Sequence, residues 1–194
     1  MTTKYDDYKN GIDAVMVRPA NEKDDNDEYI GLAFDVTFTG NIKILEKKLH
    51  SIQMLIDDKE LPSIKYFQDA DGKPHKSPLV LPKIVLGSRY ATAEKLILLW
   101  MSNDPDKNKK IAGDPIQSKL LLETLFQLRF FYDYAKRDNE YGKPTNKEAA
   151  ILYGAAYNIF FEIYEKRKDQ LEKHFPEISD DVVFDTIRKY TVNE

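Results

Sequence analysis

At Arg89 the spacing of the apolar residues changes, and this change constrains the fold of the chain more than any other sequence feature. Before it, short β-rich runs flank a single stretch of helical periodicity; after it, apolar residues recur at three and four. Tyr29 to Thr39 carries Leu32, Phe34, Val36 and Phe38 at period two, which predicts a strand. Ile12 to Val17 predicts a second strand, joined to it by the polar run Asn21–Glu28 as a long hairpin loop. Ile42, Leu45, Leu49, Ile52, Leu55 and Ile56 share one helical face, and Leu61-Pro62 ends that helix. Ser63–Gln68 and Leu79–Leu86 read as a further strand pair across the Asp-Gly and Gly-Lys-Pro turn chemistry of residues 69–74. Pro78 and Pro82 cannot donate to a ladder, so the last strand is expected at a sheet edge or interrupted.

Beyond Arg89, Thr92-Ala-Glu-Lys ahead of the apolar run 96–101 favours a helix ending near Asn103-Asp-Pro. Asp114-Pro115 is a helix start, with Asp as N-cap and Pro at the first helical position. The segment Leu120–Ala135 follows, apolar over most of its circumference. Thr145-Asn-Lys-Glu148 has the spacing of a capping box, in which Thr145 caps a third helix and Glu148 answers it. Ser179-Asp-Asp-Val predicts the start of a fourth, running to about Tyr190. The expected fold class is therefore α+β: an N-terminal antiparallel sheet of about four strands with one helix, then a C-terminal bundle of three to four helices. Residues 1–90 form the sheet-rich half and 91–194 the helical half, expected to close into one compact domain over 194 residues.

Composition narrows function mainly by exclusion. Without cysteine there are no disulfides, thiolate zinc sites or cysteine nucleophiles. Residues 1–40 hold four basic and nine acidic groups, 41–113 thirteen and nine, and 114–194 twelve and fifteen, giving −5, +4 and −3. An anionic partner would meet the middle third first. No apolar run approaches the ~18–20 residues needed to span a bilayer, and the first residues carry no signal-like stretch, so the chain reads as cytoplasmic and not a membrane partner. Nucleotide-cradling glycine motifs, G-x-S-x-G and the kinase signatures do not occur.

The residues that stand out are aromatic. On a wheel of the third helix, Tyr153, Tyr157, Phe161 and Tyr164 form a stripe beside the aliphatic one, leaving a polar strip narrower than half the girth. Such a helix must be covered on two sides, by its own domain or by another chain. A central bundle helix accounts for the pattern; so does a partner surface, since Tyr and Phe dominate binding hot spots. Phe126, Phe130, Phe131, Tyr132 and Tyr134 add a second aromatic cluster in the same half.

A second candidate set is basic: Lys65, Tyr66, Lys73, Lys76, Lys83 and Arg89 could track a phosphate backbone and stack bases. Lysines that keep a hairpin edge from aggregating are the favoured explanation, because the acidic flanks repel a polyanion and the aromatic signature of an RNP-type sheet is absent. His50, His75 and His174 form no zinc-binding pair and are expected to be structural, so no metal or cofactor site is expected. The acidic groups 24–28 and Asp69 with Asp71 lack the spacing of a calcium loop. Asp35 with Glu46 and Lys48 has the letters of a metal-dependent phosphodiesterase, but Glu46 and Lys48 diverge by about 200° on a helix.

These residues point to a non-catalytic interaction protein acting through a protein partner or self-association, with Tyr153, Tyr157, Phe161 and Tyr164 as its surface. A Lys-, Asn-, Asp- and Tyr-heavy chain without cysteine suits a bacterial or phage accessory protein, an inhibitor of a host system or an assembly component. The alternative is nucleic-acid binding through the basic middle third, with a metal-dependent phosphodiesterase third.

Overall fold

The computed structural model describes residues 11–19, 29–64, 78–138 and 144–192. Strand β1 (Ala14–Pro19) pairs antiparallel with β2 (Tyr29–Phe38), from Ala14 opposite Phe34 to Pro19 opposite Tyr29. Helix α1 (Ile42–Asp57) follows, capped by Asn41, whose side chain accepts from Lys43 N at 3.1 Å. Of its expected face, Leu45, Leu49, Ile52 and Ile56 are buried while Ile42 is exposed. The helix ends with Lys59 at φ 59°, a left-handed position usually held by glycine; Lys59 N donates to Ile56 O and Glu60 N to Leu55 O.

The fold is α+β, with its sheet at the N-terminal end and a helical C-terminal region. The sheet itself is mixed where antiparallel pairing throughout was expected. β3 (Ser63–Ile64) and β4 (Leu79–Val80) make a small antiparallel pair of their own, and β5 (Lys83–Ser88) leaves it to run parallel to β2, Ala33 opposite Lys83. The three-stranded order is β1-β2-β5. Pro82 explains the break: it has no N–H to continue the β3–β4 ladder, and its carbonyl instead accepts from Ala33 N at 2.9 Å as the chain enters the other sheet.

Five helices follow β5 among the described residues: α2 (Tyr90–Met101), α3 (Lys107–Ala112), α4 (Pro115–Lys136), α5 (Lys147–Ser179) and α6 (Val182–Val192). The Asp114 cap is present, accepting from Ile116 N at 3.0 Å. The Thr145 cap is not: Asn146 caps α5, accepting from Ala149 N at 3.0 Å, while Thr145 donates to Arg137 O. Asn146 wins because its amide also donates to Ile56 O, at the buried carbonyl end of α1. Helix α6 starts within Ser179-Asp-Asp-Val as expected, capped by Asp181, which accepts from Val183 N and Phe184 N. No helix among the described residues is long and apolar enough to cross a membrane.

Helices α4 and α5 are antiparallel, since Phe131 meets Tyr153, Arg129 meets Tyr157 and Ser118 meets His174. One core joins both halves of the chain: Leu32 and Ile84 from the sheet, Leu49 and Ile52 from α1, Leu128 and Phe131 from α4, Tyr153 from α5 and Ile187 from α6. Each such fully buried side chain contributes about 1.5–3 kcal/mol by leaving water. The other face of the sheet is covered by a smaller cluster of Ile12, Ala33, Ile64 and Leu81.

Among the described residues no strand flanks the outer edge of β5, and side chains take that place. Tyr153 Oη donates to Lys83 O at 2.8 Å and accepts from Lys83 N at 3.2 Å. Gln127 accepts from Val85 N and donates to Val85 O. Glu123 accepts from Gly87 N, and Lys119 donates to Gly87 O. Every outward amide and carbonyl of residues 83, 85 and 87 is thus satisfied. Gly87 also lets α6 close on the strand, for a Cβ there would lie 2.2 Å from Val183 Cγ1.

Candidate functional site

The aromatic stripe of α5 divides where it leaves the core. Tyr153 is fully buried and held by β5, so it belongs to the interior and not to a partner surface. One turn later the helix emerges, and Tyr157, Phe161 and Tyr164 line an open groove of about 590 Å³ against α4. Their rings stack in series, Tyr157 to Phe161 at 5.6 Å between centroids and Phe161 to Tyr164 at 5.9 Å. Leu122 and Leu125 of α4 and Leu171 of α5 are buried at the groove's base, whereas Phe161 and Phe175 are each 41% exposed.

The geometry follows from helical spacing. On α4, Leu122, Leu125, Phe126 and Arg129 recur at three and four, as do Tyr157, Phe161 and Tyr164 on α5, so each set forms one wall. Polar groups mark the rim: Arg129, its guanidinium 5.8 Å from the Tyr157 ring and bonded to Asp133, and Glu172. A concave, mostly apolar surface with a few charges at its border suits a ligand that brings apolar side chains and little charge. Of the second aromatic cluster, Phe130 and Phe131 are core, Phe126 lines the groove, and Tyr134 reaches Asp57 at 2.9 Å. Leu122, Leu125, Leu171 and Phe175 were not singled out from sequence; the continued three-and-four spacing past Tyr164 is the signal that marks the last two.

The basic set does not assemble among the described residues. Lys65, Tyr66, Lys73 and Lys76 lie outside them, as do His75 and the acidic groups at 24–28, 69 and 71. Lys83 is buried, its ammonium 3.3 Å from Asp35, because the strand carries it under the sheet rather than to solvent. Arg89 is exposed but engaged, with Nε 3.6 Å from Asp181 and Nη2 donating to Asp180 O. His50 lies 3.4 Å from Gln53, and His174 is 2.9 Å from Ser118 Oγ. Asp35 and Lys48 do meet in a hydrogen bond, but Glu46 is exposed and does not join them. No three metal-ligating side chains gather among the described residues.

A buried charged cluster lies at the edge of β5. Lys119 Nζ is 3.0 Å from Asp181 and 3.5 Å from Glu123. Burial pushes the Glu123 carboxyl up to about 7, against the pull of the Lys119 ammonium and the Gly87 amide. Partial burial also raises Asp181, but Lys119 and the amides of Phe184 and Val183 outweigh it, and its net direction is downward. Every member of this cluster serves β5 or the α6 cap. Comparison with protein-family models, curated proteins and solved structures gave no match.

Proposed function

We propose that this chain is a non-catalytic protein-interaction protein whose binding surface is the groove between α4 and α5. The observation that carries this reading is the alignment of Tyr157, Phe161 and Tyr164 opposite Leu122, Leu125 and Phe126 across an open space of about 590 Å³. Large aromatic walls over a buried aliphatic base offer much contact area for few frozen rotors, the composition of a binding hot spot. Two parallel walls favour an apolar helix laid lengthwise, with anchors at three and four. A role in a bacterial or phage assembly, or in blocking a host system, fits such a surface.

The test is a photo-cross-linker placed at position 161 and, as a control, at Ile151, which is exposed outside the groove. Discrete adducts from 161 alone, lost on Phe175→Ala at the groove's other exposed ring with the chain still folded, are expected. Equal labelling from both positions would overturn the proposal.

A further inference from the structure

We infer that the groove between α4 and α5 receives helix α2 of a second copy of this chain, in a two-fold exchange; the inference rests on the groove being the docking site. Helix α2 has no buried residue. Tyr90, Ile97, Leu98, Trp100 and Met101 are between 55% and 71% exposed, an extent of apolar surface that single soluble chains rarely leave uncovered.

Its pattern says what kind of cover it needs. Leu96 to Met101 is apolar at six consecutive positions, which point to every side of the helix. A helix apolar all round is a buried helix, whereas one that lies on a flat surface keeps a polar face. Two walls are therefore required, and α4 with α5 supply two. The helix fits within the groove: twelve residues of α2 span about 18 Å, and the groove follows α5 from Tyr157 to Phe175, about 27 Å.

The occupant comes from another molecule because α2 is tethered to its own. Lys95 pairs with Asp114 at 2.8 Å, Arg89 pairs with Asp181, and Lys107 Nζ of α3 donates to Trp100 O at 2.9 Å, so α2 is held to its own chain along its length while the side chains of Ile97, Leu98, Trp100 and Met101 stay exposed. Area selects the two-fold arrangement. The projecting side chains offer roughly 600 Å², short of the ~800 Å² per partner of a stable interface. A single helix-in-groove contact gives one partner the helix area and the other the groove area only. In an exchange each copy buries both its helix and its groove, which adds the groove's area to the helix's on every copy and closes the assembly instead of extending it.

The experiment is light scattering after size exclusion on the full chain, with Trp100→Asp on the helix, Phe161→Asp in the groove, and an equimolar mixture of the two. Both positions are exposed, and unchanged melting temperatures confirm intact folding. Wild type is expected at twice 22.6 kDa and each variant alone at 22.6 kDa. The mixture should stay mostly monomeric too, because only one of its two contacts pairs an intact helix with an intact groove and a single contact falls short of a stable interface. Since the chain has no cysteine, Leu98→Cys with Phe161→Cys should add a disulfide between copies but not within one. A monomeric wild type, a dimer indifferent to either variant, or a mixture that dimerises as fully as wild type overturns the exchange. A monomer that still gives position-161 adducts with other proteins would sink only the exchange; loss of both would sink the groove as well.

Discussion

Gln127 treats Val85 as a neighbouring strand would: its Oε1 accepts from Val85 N at 2.9 Å and its Nε2 donates to Val85 O at 2.7 Å. Both backbone groups are buried, and among the described residues this one amide compensates them. Gln127→Leu keeps the shape and strands both. Each unsatisfied group costs about 1–3 kcal/mol, and a loss of about 2–5 kcal/mol in unfolding free energy is expected by urea denaturation. A loss under about 0.5 kcal/mol would show that water replaces the amide.

The same logic separates the two ends of the aromatic stripe. Tyr153→Phe keeps the ring against Phe131, 5.5 Å away, but removes the hydroxyl that serves Lys83 N and O. A cost of about 1–3 kcal/mol should appear in thermal melts. Phe161→Ala, at an exposed wall of the groove, should cost less than about 1 kcal/mol. Equal costs would mean that the groove closes in solution.

Glu123 makes stability depend on pH in an unusual direction. Its carboxyl sits at about 7 when folded, above the ordinary 4.5 that applies to the unfolded chain. Between these values the folded state keeps a proton that the unfolded state releases, so stability falls as pH rises through this window. At about 1.4 kcal/mol per unit the loss is on the order of 3 kcal/mol, complete a little above pH 7. Asp181 shifts the other way, and its contribution is lost only as pH falls below about 4. Glu123→Gln, which keeps an acceptor for Gly87 N, should flatten the profile between about pH 5 and 8. An unchanged slope in that variant would assign the dependence to another group.

At the end of α1, Lys59 holds a left-handed conformation that costs a side-chain-bearing residue about 1–2 kcal/mol. Glycine relieves that strain but gains freedom in the unfolded chain, so Lys59→Gly should stabilise by about 0.5–1 kcal/mol net. Calorimetry showing a lower melting temperature would refute it.

What could be read from the sequence was what depends on local spacing and local chemistry. The buried face of α1 and the Asp114 cap follow from side-chain period and from a side-chain acceptor next to proline. Parallel and antiparallel strands have the same period, so the partner of β5 was not legible, although Pro82 marked the interruption. Thr145 and Asn146 are both good caps, and a contact to Ile56, ninety positions away, decided between them. A wheel gives direction and not depth, so the stripe read as one surface although Tyr153 lies in the core. The helix at 90–101 follows from its apolar run and the residues ahead of it, but nothing local reveals that none of its residues is buried.

Gly87 has one more consequence, for how the pairing of β5 with β2 is chosen. Parallel strands can slide by two residues and still turn the same faces inward. A slide by two would bring Val85 or Arg89 to the point where Val183 Cγ1 leaves no room even for a methyl group, so α6 docks on one alignment only. A helix near the end of the described chain therefore acts as the gauge for a strand alignment laid down far earlier, and any chain that has slipped is left with its last helix undocked.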